Sequence, residues 1–268
     1  MEPLQGWHAS DQERVNAQDL ARRIEPAAVA SWPARETMAV DGWLLRFTDG
    51  CSHRANSVAT HSFSGQDLEE AVDRAEAAYR ARHLIPRFQI TPLTPPAGLE
   101  DALLARGYAD VSPTHVMTAP AERVCAAHAA TARVSFVDRD DAALQRLILS
   151  GSRSDADGRE RIFLLSRIAL PLACVLTFED GVAAGCGVCV LGNGLGGIYL
   201  MRTDPARRRR GHARNVLSAL ACWARDGGAD ELYLQVDHAN GPARALYAGA
   251  GFANAYSYRY CRAPEAPA

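Results

Sequence analysis

Lysine is absent: the 29 Lys-plus-Arg positions are all arginine, set against 31 Asp and Glu. Schiff-base chemistry on a lysine is therefore excluded. The formal net charge of −2 gives no bulk attraction to nucleic acid. No apolar run approaches the roughly 20 residues a membrane-spanning helix requires, and no membrane partner is expected. The first residues are polar and acidic, with Asp11, Glu13 and Asp19, unlike a secretory leader. The seven cysteines lack the spacing of a disulfide framework. Cys186 and Cys189 are a close pair in a strand-like run, with no second pair or nearby histidine to complete a zinc set, so they read as small buried residues and no metal is expected. A reducing cytoplasm is the expected compartment. The 268 residues, 48% hydrophobic, suffice for one large or two small cores.

One stretch stands out against this background. Residues 197–201 are apolar and strand-like; residues 215–225 carry Val216, Leu217, Leu220, Ala221 and Trp223 at helical spacing. Between them lie Arg208, Arg209, Arg210, Gly211, His212 and Ala213. A helix start has backbone amides without intrahelical partners and a partial positive charge. With glycine allowing close approach and arginines adding charge, the turn reads as a cradle for a phosphate or diphosphate. It fits neither a P-loop nor the three-glycine dinucleotide fingerprint. A solvated basic turn is the plainer alternative, and DNA binding through residues 207–210 a third, which would be steeply salt-dependent.

The run fits Arg-x-x-Gly-x-Gly/Ala and resembles the acyl-CoA loop of the GNAT superfamily of N-acetyltransferases. Downstream, the alternating strand 231–237 is followed by Asn240, Ala243, Leu246, Tyr247, Gly251 and Phe252, which resembles the second signature of that superfamily. The two together cover roughly residues 198–260. The resemblance implies an α/β (α+β) fold, with a central mixed, largely antiparallel sheet flanked by helices.

The rest of the chain reads as helix 14–30, strand 42–47, a returning strand 54–59, helix 68–82 capped by Asp67, strand 86–90, short helix 99–105 and strand 108–118. Residues 1–12 read as loose and 119–131 as a linker or helix start. A helix follows from Asp138 to residue 149, then a polar loop 151–160, a helix to Ile168 and strands 174–178 and 182–191. Ala105-Arg106-Gly107-Tyr108 near the end of the first half parallels Ala250-Gly251-Phe252 near the end of the second. A divergent internal repeat follows: an N-terminal helical extension (1–30), a degenerate GNAT-like domain (31–120) and a catalytic domain (132–268). The first copy lacks the arginine loop, and Leu103 falls where the second has Tyr247.

The resemblance implies acetyl transfer from acetyl-CoA to an amine, the expected acceptor being a small amino acid, antibiotic or metabolite. A protein N-terminus or lysine is the alternative acceptor, and a non-catalytic coenzyme A sensor the alternative class. Residues 208–213 would hold the diphosphate, and the backbone of Met201 and Thr203 the pantetheine and acetyl carbonyl. Asn240 would bond the pantetheine, cap a helix, or both. Tyr247, with an ordinary phenol pKa of about 10, would protonate the leaving thiolate. Many relatives place a glutamate base where Gln235 stands, so the base is open among Asp237, His238, Tyr199 and water. Tyr256, Tyr258 and Tyr260 share a strand face and either pack or line the acceptor site. Trp43, Arg46, Arg54 and Asn56 would reach the acceptor if the halves face each other, Arg54 then holding a carboxylate; a surface arginine is its plainer reading. A monomer or homodimer is expected.

Overall fold

A computed structural model describes residues 11–127 and 133–264 of the chain. The loose segment expected at 1–12 lies, for residues 1–10, outside the described residues, as do residues 128–131 of the expected linker.

The chain order is α1 (Asp11–Ser31), β1 (Glu36–Val40), β2 (Trp43–Phe47), a 3-10 turn (His53–Ala55), β3 (Val58–Ala59), α2 (Leu68–Arg80), β4 (Arg87–Ile90), α3 (Leu99–Ala105) and β5 (Ala109–Pro120). Then follow α4 (Ala121–Ala126), β6 (Val134–Val137), α5 (Ala142–Ser150), α6 (Asp155–Ser166), β7 (Leu172–Glu179), β8 (Val182–Gly192) and β9 (Leu195–Thr203). A second 3-10 turn (Pro205–Arg207), α7 (His212–Asp226), β10 (Glu231–Asp237), α8 (Gly241–Gly249) and β11 (Ala253–Arg262) complete it. Asp67 caps α2 through the amide of Glu70, as expected. The returning strand expected at 54–59 shrinks to two residues, because residues 53–55 coil into a 3-10 turn. The polar loop expected at 151–160 is helical from Asp155, where the Ser154 side chain accepts from the Asp157 amide.

The strands form one 11-stranded sheet in the order β1-β2-β3-β4-β11-β5-β10-β9-β8-β7-β6. Two neighbour pairs are parallel, β3 with β4 and β9 with β10; the others are antiparallel. Each parallel pair precedes a helix that ends in glycine and an aromatic. Gly107 and Gly251 both take left-handed φ, 79° and 99°, a conformation open to glycine at little cost. The next amides then reach back identically, Tyr108 N to Leu103 O and Phe252 N to Tyr247 O, each at 3.0–3.1 Å. Leu103 and Tyr247 are thus equivalent positions of a repeated unit. The repeats exchange their last strands: β5 pairs with β10, and β11 with β4. The sheet therefore runs continuously through both halves.

Three apolar cores follow. One lies under α2 and α3 on the first four strands. The second packs α4, α7 and α8 on one face of the second half; Val216, Leu217, Leu220 and Ala221 of α7 are at most 1% exposed, and each large one contributes about 1.5–3 kcal/mol by leaving water. The third packs α1, α5 and α6 on the opposite face. Cys186 and Cys189 fall in different cores, on opposite sides of β8, so they form no chelating pair. One expectation about cysteine is overturned. Cys125 of α4 and Cys222 of α7 form a disulfide across a sequence separation of 97 residues. No spacing rule reveals it, because the packing of α4 on α7 creates the proximity.

Candidate active site

β9 and β10 run side by side only from Leu195↔Glu231 to Ile198↔Leu234. Beyond that, β10 stays with β5 as far as Asp237↔Thr114, and β9 stays with β8 as far as Thr203↔Gly185. Between Tyr199 and Arg202, β9 carries one residue more than β8, and Leu200 sits at φ 51°. This bulge bends β9 away. A gap opens between residues 199–203 and 235–237, with backbone groups no longer occupied by a neighbouring strand.

At the gap's α7 side, Arg209 and Gly211 take left-handed φ of 64° and 85°. The first intrahelical bond of α7 runs from Asn215 N to Gly211 O, so the amides of His212, Ala213 and Arg214 precede the helical ladder. The arginine run is not one cluster. Arg207 pairs with Asp204 at 2.8 Å, and Arg210 with Glu179 at 2.7 Å; the Arg210 bond holds the Glu179 carboxyl below its ordinary pKa. Arg208 and Arg209 are exposed and make no ion pair among the described residues. The His212 ring is turned inward, 4% exposed, beside Glu179 at 3.6 Å, so what it presents at the helix start is its amide. The bare amides and two uncommitted guanidiniums fit an anionic diphosphate.

The Met201 side chain points to the α7 side, where its sulfur would lie 2.5 Å from a Cβ at Gly187. Thr203 is held by β8. Asn240 is the cap of α8: its Oδ1 accepts from Ala243 N at 3.2 Å, which leaves its amide hydrogens uncommitted by that bond. Tyr247 is 7% exposed and packs against Phe252 with ring centroids 6.0 Å apart. Burial pushes its pKa up to about 12, with the positive charges of Arg202 and Arg54 pulling the other way.

Arg202 was missed at the level of sequence, where it is only the residue after a strand. It lines the α5 side of the gap, against Gly151: a Cβ there would stand 2.4 Å from Arg202 Cδ. Its Nη1 donates to Met201 O at 3.0 Å, and its Nε is buried without a partner. Burial lowers its pKa, with Arg161 adding repulsion.

The opposite wall comes from the first half. Arg54, on the 3-10 turn, donates from Nη2 to Gln235 O at 2.9 Å, and its Nε lies 3.5 Å from Tyr258 Oη. The turn is clamped by buried Glu160, which accepts from Ser52 N at 2.6 Å and Asn56 Nδ2 at 2.9 Å. Gln235 Oε1 is buried without a partner.

The other candidates are committed elsewhere. Tyr199 shares a 2.8 Å bond with Tyr233 and stacks on Trp32, centroids 5.4 Å apart; burial pushes its pKa well up, so it packs rather than titrates. Asp237 is exposed and accepts from Ala239 N at 2.8 Å. His238 Nδ1 bonds His115 Nε2 at 2.8 Å, and His115 Nδ1 lies 2.8 Å from Ser257 Oγ. Tyr256, Tyr258 and Tyr260 are all buried in one core, the packing reading of that strand; Tyr256 donates to Glu25 at 2.7 Å. Trp43 is buried in the first-half core, and Arg46 bonds Ser57 and Gln89. Among the described residues, no three His, Cys, Asp or Glu side chains converge to hold a metal, and no helix is long and apolar enough to cross a membrane.

A mixed, largely antiparallel sheet that parts between two parallel strands, with a basic helix start at the parting and helices on both faces, is the GNAT fold. It is preceded here by an N-terminal GNAT-like unit. The chain is thus a member of the GNAT acyltransferase superfamily, whose general activity is CoA-dependent acyl transfer. Within it, the chain belongs to the family described as "Probable histone acetyltransferase Rv0428c C-terminal", whose profile matches residues 19–261. It is similar to the "Uncharacterized N-acetyltransferase YobR" of Bacillus subtilis (strain 168), 28% identical over 249 residues, 90% of this chain and 98% of that one. In fold it resembles a GCN5-related N-acetyltransferase from Kribbella flavida, with TM-score 0.68, 16% identity, and 93% and 96% of the two chains covered. It also resembles a tandem GNAT protein from the clavulanic acid biosynthesis pathway, with TM-score 0.60, 13% identity, and 96% and 97% covered.

Proposed function

We propose that the chain is an acetyl-CoA-dependent N-acetyltransferase acting on the primary amine of a small molecule such as an amino acid, an antibiotic or a metabolite. One observation carries this reading: the start of α7, with three amides outside the helical ladder and the exposed Arg208 and Arg209 beside it, lies at the parting of β9 and β10. Acetyl-CoA supplies the activated thioester. The amides of His212, Ala213 and Arg214, with Arg208 and Arg209, grip its diphosphate, while the unpaired edge of β9 from Met201 to Thr203 and the side-chain NH2 of Asn240 orient the pantetheine. The thioester carbon is then held for direct attack, and Tyr247 donates to the departing sulfur. A phenol with a pKa of about 12 keeps its proton throughout the working range.

Gln235 cannot accept a proton, and His238 is bonded to His115. The amine attacks as the free base. As the C–N bond forms and the C–S bond breaks, the proton lost by nitrogen passes to water, and the Tyr247 phenol, having protonated the sulfur, is reprotonated from solvent. Residues 132–268 carry the transfer chemistry and residues 31–120 supply the acceptor wall through Arg54, while α1 packs in the core on β8, β9 and β11. The second reading, a protein amine, is favoured by the family's description as a probable histone acetyltransferase. We place the activity in the cytoplasm, where acetyl-CoA is made, with no nucleic-acid or membrane partner and with the protein acting as monomer or homodimer.

The test combines calorimetry with coenzyme A and an acetyl-CoA consumption assay over an amine library. Wild type should bind coenzyme A and consume acetyl-CoA. Tyr247→Phe should bind equally and lose about 100-fold or more in kcat, as for other positioned proton donors. Absence of coenzyme A binding by folded protein would end this reading, and undiminished turnover by the Phe variant would remove Tyr247 from it.

A further inference from the structure

The Arg54 guanidinium is an unusual wall for an acyl-transfer gap. It comes from the other half of the chain and crosses to β10, where it donates to the carbonyl of Gln235. A guanidinium has five N–H donors. The described bonds use one on Gln235 O and one on Tyr258 Oη, both to neutral oxygens. Among the described residues no carboxylate forms an ion pair with Arg54. The two buried acids of this region are committed. Glu25 takes bonds from Tyr256 and Gln89 and feels the charge of Arg54 without a direct ion pair, and Glu160 takes bonds from Ser52 and Asn56. Arg54 itself is half-buried.

The turn that carries Arg54 is largely buried, with Ser52, Ala55 and Asn56 at most 6% exposed, and it is held rigidly. Asn56 donates to both Ser52 O and Glu160 and accepts from Thr48 N at 2.6 Å. Such pre-organisation has no use for a solvated arginine, but it is what a fixed anion site needs. Beside it, Gln235 Oε1 is buried and unpartnered. An acceptor oxygen there can take an N–H of a neutral amine. Arg54 bonds the main chain of the same residue whose side chain carries the orphan oxygen, so an anion and an amine held by them would belong to one small molecule.

We propose that the acceptor is a carboxylate-bearing amine, an amino acid or a close analogue, whose carboxylate is held by Arg54 and whose amine is oriented by Gln235. This rests on the acetyl-transfer reading and narrows it. It also separates small acceptors from protein ones, because a lysine side chain or an ordinary N-terminal residue has no free carboxylate a few bonds from its amine.

The experiment compares the twenty L-amino acids with their carboxamides, by calorimetry in the presence of coenzyme A and by acetyl-CoA consumption. Wild type, Arg54→Gln and Arg54→Lys are used, with circular dichroism to verify folding. At least one amino acid should bind and react about 30-fold or more better than its carboxamide, the change expected when one partner of a buried hydrogen-bonded charge pair is removed. Arg54→Gln should abolish that preference while coenzyme A still binds, and Arg54→Lys should restore part of it. If a variant does not fold, Tyr258→Phe and the wild-type comparison of acid with carboxamide carry the test. Amino acids that bind through Arg54 without turnover would uphold the carboxylate site and overturn the transferase reading. Turnover of acids and carboxamides at equal rates, or no amino acid bound at all, would overturn the site and leave acetyl transfer standing or falling on its own assay.

Discussion

Replacing Glu160 by Gln probes the joint between the two halves with almost no change of volume. Glu160 is 1% exposed. Its two oxygens receive Ser52 N at 2.6 Å and Asn56 Nδ2 at 2.9 Å. A glutamine turns one of those oxygens into an NH2 that faces a donor. Rotating Asn56 cannot relieve this, because its Oδ1 already accepts from Thr48 N and its Nδ2 also donates to Ser52 O. One charge-assisted bond is lost and one donor is stranded, a cost of about 2–4 kcal/mol. For a chain of this size each kcal/mol lowers Tm by roughly 2–4 °C, so a fall of roughly 4–16 °C is expected. The 3-10 turn should loosen with it, raising KM for the acceptor, while coenzyme A affinity, set on α7, stays at the wild-type value. Differential scanning calorimetry and coenzyme A titration measure both. A Tm within 1 °C of wild type would show that the clamp carries no strain-free bonds worth the name, and the argument for a pre-organised Arg54 would fall with it.

Other perturbations report on other parts of the site. Arg208→Ala with Arg209→Ala should weaken coenzyme A binding roughly ten-fold, about 1.4 kcal/mol for two exposed charges, and the difference should shrink at high salt; a salt-independent loss would refute the electrostatic role. Burial lowers the pKa of His53 from 6.5 to about 4, with Arg87, Arg153 and Arg262 adding repulsion. Its neutral form is thus favoured by folding, and the stability it contributes is present above pH 6.5 and lost as pH falls toward 4. His61 and His115 are lowered in the same direction. Tm should therefore drop across that window, and His53→Phe should flatten the slope; an unchanged slope would show that His53 titrates normally.

Legibility followed the range of the interactions. β10 spans Glu231–Asp237, the bounds the sequence pattern predicts, although Leu232, Tyr233 and Leu234 are all buried because cores cover both faces of the strand. The start of α7 was visible because an arginine run, a glycine and an apolar period meet within a few residues. The equivalence of Leu103 and Tyr247 was visible because the helix-glycine-aromatic ending is written locally in both halves. Arg54 and Gln235 lie 181 residues apart, and nothing near either announces the other. The 3-10 turn that aims Arg54 depends on Glu160, from a helix read in part as a loop. Arg202 gave no signal either, since its buried setting is made by Gly151 and the bulge in β9.

By itself, then, the sequence determined the units: their periods, their glycine stops, the basic helix start and the superfamily these define. All of these are settled by forces acting over a few neighbouring residues. Only the tertiary structure decided that the repeats trade final strands, that Cys125 meets Cys222, and that an arginine from the first half closes the gap of the second. Those outcomes depend on which distant surfaces bury each other, and no short window of residues encodes that.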